Sequence, residues 1–195
     1  WRVKHVSDRN FIIILSVLIG LTSSLVAILL RLAINEIHHI LTGGFQVEQQ
    51  NYLFIVYPVF GILITLGLLK FLFRGVFDHG ITNVLNAIAR KNSIVKIRDT
   101  LYFIFGSLIT VGSGGSVGME ASLVMSGSSA GSNIARYLHL PHQSRMLLLG
   151  CGVAGALAAF FKAPIAGIIF CLEVLMLDLT MGSLVPLLMA SVTGI

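Results

Sequence analysis

Charge is what this sequence has least of. Asp, Glu, Lys and Arg make up 11% of its 195 residues, against about 25% in an average soluble domain. A water-soluble globule of this size has to clothe a large surface in polar groups, and the chain does not carry them. Cysteine is scarce too. Cys151 and Cys171 are the only two, too few for a disulfide scaffold, and both stand among apolar neighbours as small core residues do. Polar, low-complexity sequence of the kind that stays disordered is missing. So is any basic stretch interleaved with aromatics, which removes nucleic acid as a partner despite a net charge of +5. What the chain has instead is apolar: 56% of residues, with a mean hydropathy of +0.94. The expectation is an all-α integral membrane protein with the lipid bilayer as its surroundings. The surplus of Lys and Arg then reads as a positive-inside bias.

Residues 11–30 form an uncharged apolar run of about the 20 residues that a bilayer-spanning helix needs. The run is too long for the core of a signal peptide and continues through Arg31 towards Leu41. A second span is expected over residues 52–73. Arg2, Lys4 and Arg9 precede the first span, whereas residues 43–51 hold no Lys or Arg. Residues 70–98 hold Lys70, Arg74, Arg90, Lys91, Lys96 and Arg98. The N-terminus and residues 70–98 are therefore expected on the cytoplasmic side, with the first loop outside. The chain opens on Trp1 and stops at Gly194-Ile195 inside an apolar stretch. Residues 1–195 are accordingly expected to be one portion of a longer polypeptide.

After residue 100 long spans give way to short ones. Residues 101–111, 146–161 and 165–177 are apolar but shorter than an upright span, and another helix begins near Leu184. Between them lie a glycine-rich turn (residues 112–118) and Lys162-Ala163-Pro164. Irregular backbone at membrane depth has to be buried in protein or line a water path. Broken helices of this kind point to a transport site. Gly127, Ser128, Ala130 and Gly131, then Gly150, Gly152 and Gly155, suit close helix–helix approach.

Glu120 is the most informative position: a carboxylate in an apolar region, at the start of a small-residue helix, beside the glycine turn. Its residue type and place admit two readings. One is a helix-terminal charge worth roughly a few tenths of a kcal/mol. The other is an anion site, built from the turn and the helix N-terminus, that the carboxylate fills when no ion does.

Gly118-Met119-Glu120-Ala121-Ser122 and the helix after it resemble the Gly-Arg/Lys-Glu-Gly-Pro motif of the CLC chloride channels and chloride/proton antiporters. Residues 152–173, with Ala163-Pro164-Ile165-Ala166-Gly167 at their centre and Glu173 at their end, are similar to that family's alanine- and glycine-rich stretch, its Ala-Pro-Leu-Ala-Gly turn and the glutamate-bearing helix that follows. With the two spans, essentially the whole chain resembles the first half of a CLC membrane domain. The family's later motifs, Gly-x-Phe-x-Pro and the pore tyrosine, have no counterpart.

The resemblance implies long tilted and short re-entrant helices forming the first half of an inverted-repeat fold. It implies chloride or another small anion as substrate, with no resident cofactor and no metal. It also implies a homodimer, here through residues 165–189, which tryptophan at Ile169 or Leu187 is expected to split. Glu120 falls on the gating glutamate. Gly118, Met119, Glu120 and Ala121 fall on one anion-binding segment. Asp78, His79, Gly80 and Ile81 fall on another, where the family has Gly-Ser-Gly-Ile-Pro. Departures from the pattern are His79 for the serine, Ala121-Ser122 for Gly-Pro, Met119 for the basic residue, and Glu173-Val174 for two adjacent glutamates. The proton relay normally falls on the second of that pair, so Glu173 is the one candidate left. A channel is slightly favoured over chloride/proton or fluoride/proton exchange.

The remaining residues carry less. His38 and His39 belong at the membrane interface, and His139 and His142 in a polar connection. Lys162 either draws anions to a cytoplasmic vestibule or snorkels to the headgroups. An intramembrane serine protease would use Ser113, between Gly112 and Gly114, but needs a histidine on a later membrane helix, and His142 is the last in the chain. A non-transporting membrane scaffold is the other alternative.

Overall fold

The computed structural model describes residues 8–42, 53–73, 80–175 and 181–195. Among the described residues it consists of helices joined by short turns, with no strand. In chain order these are α1 (Asp8–Thr42), α2 (Leu53–Phe73), α3 (Gly80–Arg90), α4 (Ile97–Gly112), α5 (Glu120–Tyr137), α6 (His142–Phe161), α7 (Pro164–Val174) and α8 (Met181–Thr193). The all-α expectation and the alternation of long and short helices hold.

The two expected spans lie within α1 and α2. The 35 residues of α1 extend about 50 Å, well beyond the roughly 30 Å hydrocarbon core, so this helix suits a tilted crossing. One expectation fails. The apolar run that begins at Met146 looked too short to cross, yet α6 has 20 residues. Pro141 supplies an extended N-cap (φ −62°, ψ 160°), and the polar residues His142 to Arg145 form the first turn. Among the described residues, α1 and α6 are long and apolar enough to cross a membrane. α7 ends at Val174, earlier than expected, and α8 begins at Met181.

α6 is the centre of the bundle. Every residue from Leu148 to Ala159 is buried, and the helix packs against α5, α1, α8 and α7. Small residues bring these backbones together. A Cβ added to Gly152 would overlap the carbonyl oxygen of Gly127, and one added to Gly131 would overlap that of Leu148. One turn further along α6, Gly155 faces Gly20 and Ser23 of α1, and Gly194 backs onto Gly155. Lipid gives helices little hydrophobic reason to associate, so dispersion contact at this range does the holding. Three buried hydroxyls are satisfied within their own helices: Ser23 donates to the Gly20 carbonyl (3.1 Å), Ser126 to Leu123 (3.0 Å) and Ser128 to Met125 (3.0 Å).

Polar bonds gather at one end of the bundle. Ser132 donates to the Ser93 carbonyl (2.6 Å) and accepts from the Val95 N–H (3.0 Å). Asn133 donates to Val95 O (3.3 Å), while Arg145 donates to the carbonyls of Asn92 (3.0 Å) and Leu140 (3.0 Å). Ser93 and His142 share a bond of 3.3 Å. This fastens the ends of α3 and α5 to the starts of α4 and α6, in one layer that also carries Arg90, Lys91, Lys96, Arg98 and Arg136. Lys162 caps the opposite end of α6, about 30 Å away along the axis. It therefore stands away from the layer that holds Arg90, Lys91, Lys96 and Arg98.

Candidate functional site

α3 and α5 begin at the same place. Gly80, the first residue of α3, is buried. A Cβ there would lie 3.1 Å from the Cβ of Ala121, 3.2 Å from the Ala121 carbonyl oxygen and 3.2 Å from the Phe103 ring of α4. The first turns of two helices thus abut. Each helix start leaves N–H groups without intrahelical partners and carries the positive end of a dipole. The first turn of α3 has no acidic residue, and that of α5 has Glu120. Glu120 is exposed, whereas Ala121 and Ile81 are half-buried.

The turn before α5 is open where it meets the helix. Gly114 takes a positive φ of 88°, which glycine adopts without steric cost. It donates to the Val111 carbonyl at 2.9 Å, and Gly115 donates to that of Thr110 at 2.9 Å. Gly118 has nothing within 4 Å of where a Cβ would stand, so its backbone is accessible. Met119 precedes the helix with φ −83° and ψ −6° and forms no side-chain cap.

Ser122, in the first turn of α5, is buried. Its hydroxyl donates to the Phe103 carbonyl (2.9 Å) and is hydrogen-bonded to that of Ser107. With the Ser122 proton committed to Phe103, Ser107 is the donor in the second bond. The pair ties the first turn of α5 to α4. In the sequence Ser122 stands out only as a departure from proline, and this part is not legible there. The available signal was Phe103 and Ser107, four apart on a helix and so on one face.

Of the expected site residues, Gly80, Ile81, Gly118, Met119, Glu120 and Ala121 lie at or beside this convergence. Asp78 and His79 lie outside the described residues. Glu173 stands apart on α7. That helix turns Gly167, Ile168 and Cys171 inward, with the Cys171 thiol donating to the Gly150 carbonyl at 3.3 Å; Glu173 is exposed on the outer side. Ile169, expected at the subunit contact, is also exposed, but Leu187 is fully buried in the chain's own core. Tryptophan at Leu187 would therefore test the fold, not the interface. Ser113 donates to the Thr110 carbonyl (2.9 Å) at the far end of α4 from Ser93 and its partner His142, some 24 Å along that helix by its rise. The serine–histidine pair of a protease is not assembled from these two. Among the described residues no three His, Cys, Asp or Glu side chains gather as metal ligands would.

Comparison with known proteins places this geometry. Residues 61–195 match the family model for voltage gated chloride channels. A putative chloride channel protein, ClcB-like, from Ralstonia nicotianae is 29% identical over 144 residues, covering 72% of this chain and 34% of that protein. The voltage-gated ClC-type chloride channel ClcB of Escherichia coli is 34% identical over 89 residues, covering 46% of this chain and 21% of that protein. The chain thus spans about a third or less of the length of these curated relatives. A slow cyanobacterial Cl−/H+ antiporter of known structure matches with a TM-score of 0.74 at 18% identity, over 97% of this chain and 46% of that one. A CLC-type fluoride/proton antiporter matches with 0.68 at 21% identity, over 95% and 46%. At such identities the likeness shows the fold, which is the first half of the CLC architecture. With the family model matched over most of its length, the chain belongs to the voltage-gated chloride channel (CLC) family of integral membrane proteins.

Proposed function

We propose that this chain supplies the first half of a transmembrane anion pathway, with chloride the default ion and Glu120 its gate. One observation carries the reading: the starts of α3 and α5 meet at Gly80 and Ala121, with the exposed Glu120 in the first turn of α5. Each helix start is equivalent to roughly half a positive charge. Together they stabilise a partly dehydrated anion without the full ammonium or guanidinium charge that would hold it too long. Glu120 competes for the same partial charges and leaves when protonated or displaced. Asp78 and His79, just ahead of α3, belong to the same site, with Ile81, Gly118 and Met119 around it. No cofactor or metal takes part, and the protein is a transporter, not an enzyme. The N-terminus lies in the cytoplasm, on the same side as the layer that holds Arg90, Lys96 and Arg145. Two copies associate through residues 165–189, where Ile165, Ile169 and Leu188 face outward.

Glu120→Gln, which mimics permanent protonation, should give chloride efflux from liposomes that no longer depends on external pH. A mutant retaining the wild-type pH profile would remove Glu120 from the gating role.

Channel behaviour is favoured because Val174 cannot carry a proton. The competing reading, proton-coupled exchange of chloride or fluoride, draws on Glu173, which is exposed on α7. Vesicles under a chloride gradient separate the two. The channel reading expects little uphill proton uptake. Stoichiometric uptake that Glu173→Gln abolishes would make the protein an antiporter with Glu173 as relay.

A further inference from the structure

We propose a second, outer anion site between α1 and the turn joining α6 to α7, where Arg31 and Lys162 collect a hydrated monovalent anion and pass it to the Glu120 gate; this rests on the anion-pathway reading above. A cavity of about 470 Å³ lies there, with Arg31, Asn35, Met119, Phe160 and Lys162 on its walls. At about 30 Å³ per water, it takes a small anion together with its hydration shell. A neighbouring cavity of about 360 Å³ shares Arg31, Asn35, Phe160 and Lys162 and is also lined by Ile195.

The walls select for negative charge. Two cations and an amide line the first cavity, and no carboxylate lines either one. The Arg31 guanidinium is fixed at two points on one residue: it donates to the Phe160 carbonyl at 3.4 Å, and its Cζ lies 5.9 Å from the centre of the Phe160 ring. A guanidinium has five N–H groups. Among the described residues Arg31 uses one of them within the chain and pairs with no acid. Lys162 sits in the left-handed region at φ 54°, a helix-end conformation that glycine or asparagine occupies at lower cost.

The link to the gate is Met119. It lines the cavity and immediately precedes Glu120. Residue 119 brings no charge, so the positive field beside the gating turn comes from α1 and from the end of α6. Fields of this kind raise the local concentration of an incoming ion and hence the capture rate. A purely structural role competes with this one, since cations also stabilise a helix C-terminus, and Arg31 and Lys162 both stand at that of α6.

The test uses the intact protein in phosphatidylcholine liposomes, with initial chloride flux measured against chloride concentration at low ionic strength. Arg31→Gln and Lys162→Asn (asparagine suits the left-handed backbone and keeps the turn) should each raise apparent KM about three- to tenfold with the maximal rate little changed. The rise should shrink as an inert salt is added, and Arg31→Lys and Lys162→Arg should preserve KM. Unchanged KM in folded Lys162→Asn, or equal loss in the charge-conserving variants, overturns the proposal in favour of helix capping. A shift that appears only when anionic lipid is added also overturns it, since the ligand is then a headgroup. Chlorine-35 line broadening by the detergent-solubilised protein reads the site without transport, and a double Gln/Asn variant that broadens as wild type does rejects it. The Glu120→Gln pH profile is independent of all these readouts, so failure of the gate and failure of the outer site are separable.

Discussion

Residues 122–129 of α5 are sunk in the bundle, whereas the turn that begins the helix stands open. Residues 122–129 are all buried, and Gly127 and Gly131 are in backbone contact with α6. A few ångströms away Glu120 is exposed and Gly118 has an empty surrounding. Within this half of the fold the helix is thus a fixed post over residues 122–129 and an open tip at Glu120. The gate proposed for Glu120 draws on both, a dipole held still and a carboxylate beside it. Rigidity comes from atoms that cannot be displaced.

The comparison can be broken at the post. Gly152→Ala puts a methyl group onto the Gly127 carbonyl, where neither backbone can yield. It should cost about 3 kcal/mol or more and show as a lowered unfolding midpoint in detergent. Leu187→Trp, overfilling a fully buried site on α8, should cost about 2 kcal/mol by the same measurement. Ile169→Trp, on the exposed side of α7, should leave stability unchanged while splitting the proposed dimer in size-exclusion chromatography; a retained dimer would place the interface elsewhere.

Between post and tip stands Ser122. Ser122→Ala deprives the Phe103 carbonyl and the Ser107 hydroxyl of a partner, which should cost about 1 kcal/mol. If the pair aligns the first turn of α5, the external pH response should shift as well; Ser122→Thr, which keeps the hydroxyl, should restore it. The tip itself should be thermodynamically quiet. Glu120→Gln is expected to change stability by no more than about 0.5 kcal/mol, even as it removes the pH dependence of flux.

Much of this was legible in the sequence because membrane helices advertise themselves. Apolar runs located α1 and α2, and small residues at short spacing marked α5 and α6 as close-packing. Glycine and proline marked the breaks. The missed start of α6 has a plain cause: its first turn is polar, so a hydropathy reading begins at Met146, while the backbone begins helix as soon as Pro141 lets it. Leu187 was misjudged because α8 is apolar on every side, and periodicity then cannot say which face turns inward. Ser122 was overlooked because its partners are a backbone carbonyl and a serine of another helix.

The sequence by itself determined the helical class, the membrane setting and the candidate status of Glu120, since each follows from residue chemistry against a bilayer that tolerates neither bare charge nor unpaired backbone. Only the tertiary structure decided that Gly80 meets Ala121, that Lys162 joins Arg31 at the far end of α6, and that Leu187 is core. These are contacts between segments tens of residues apart. They depend on which helix faces close to backbone distance, and a linear pattern does not record that choice.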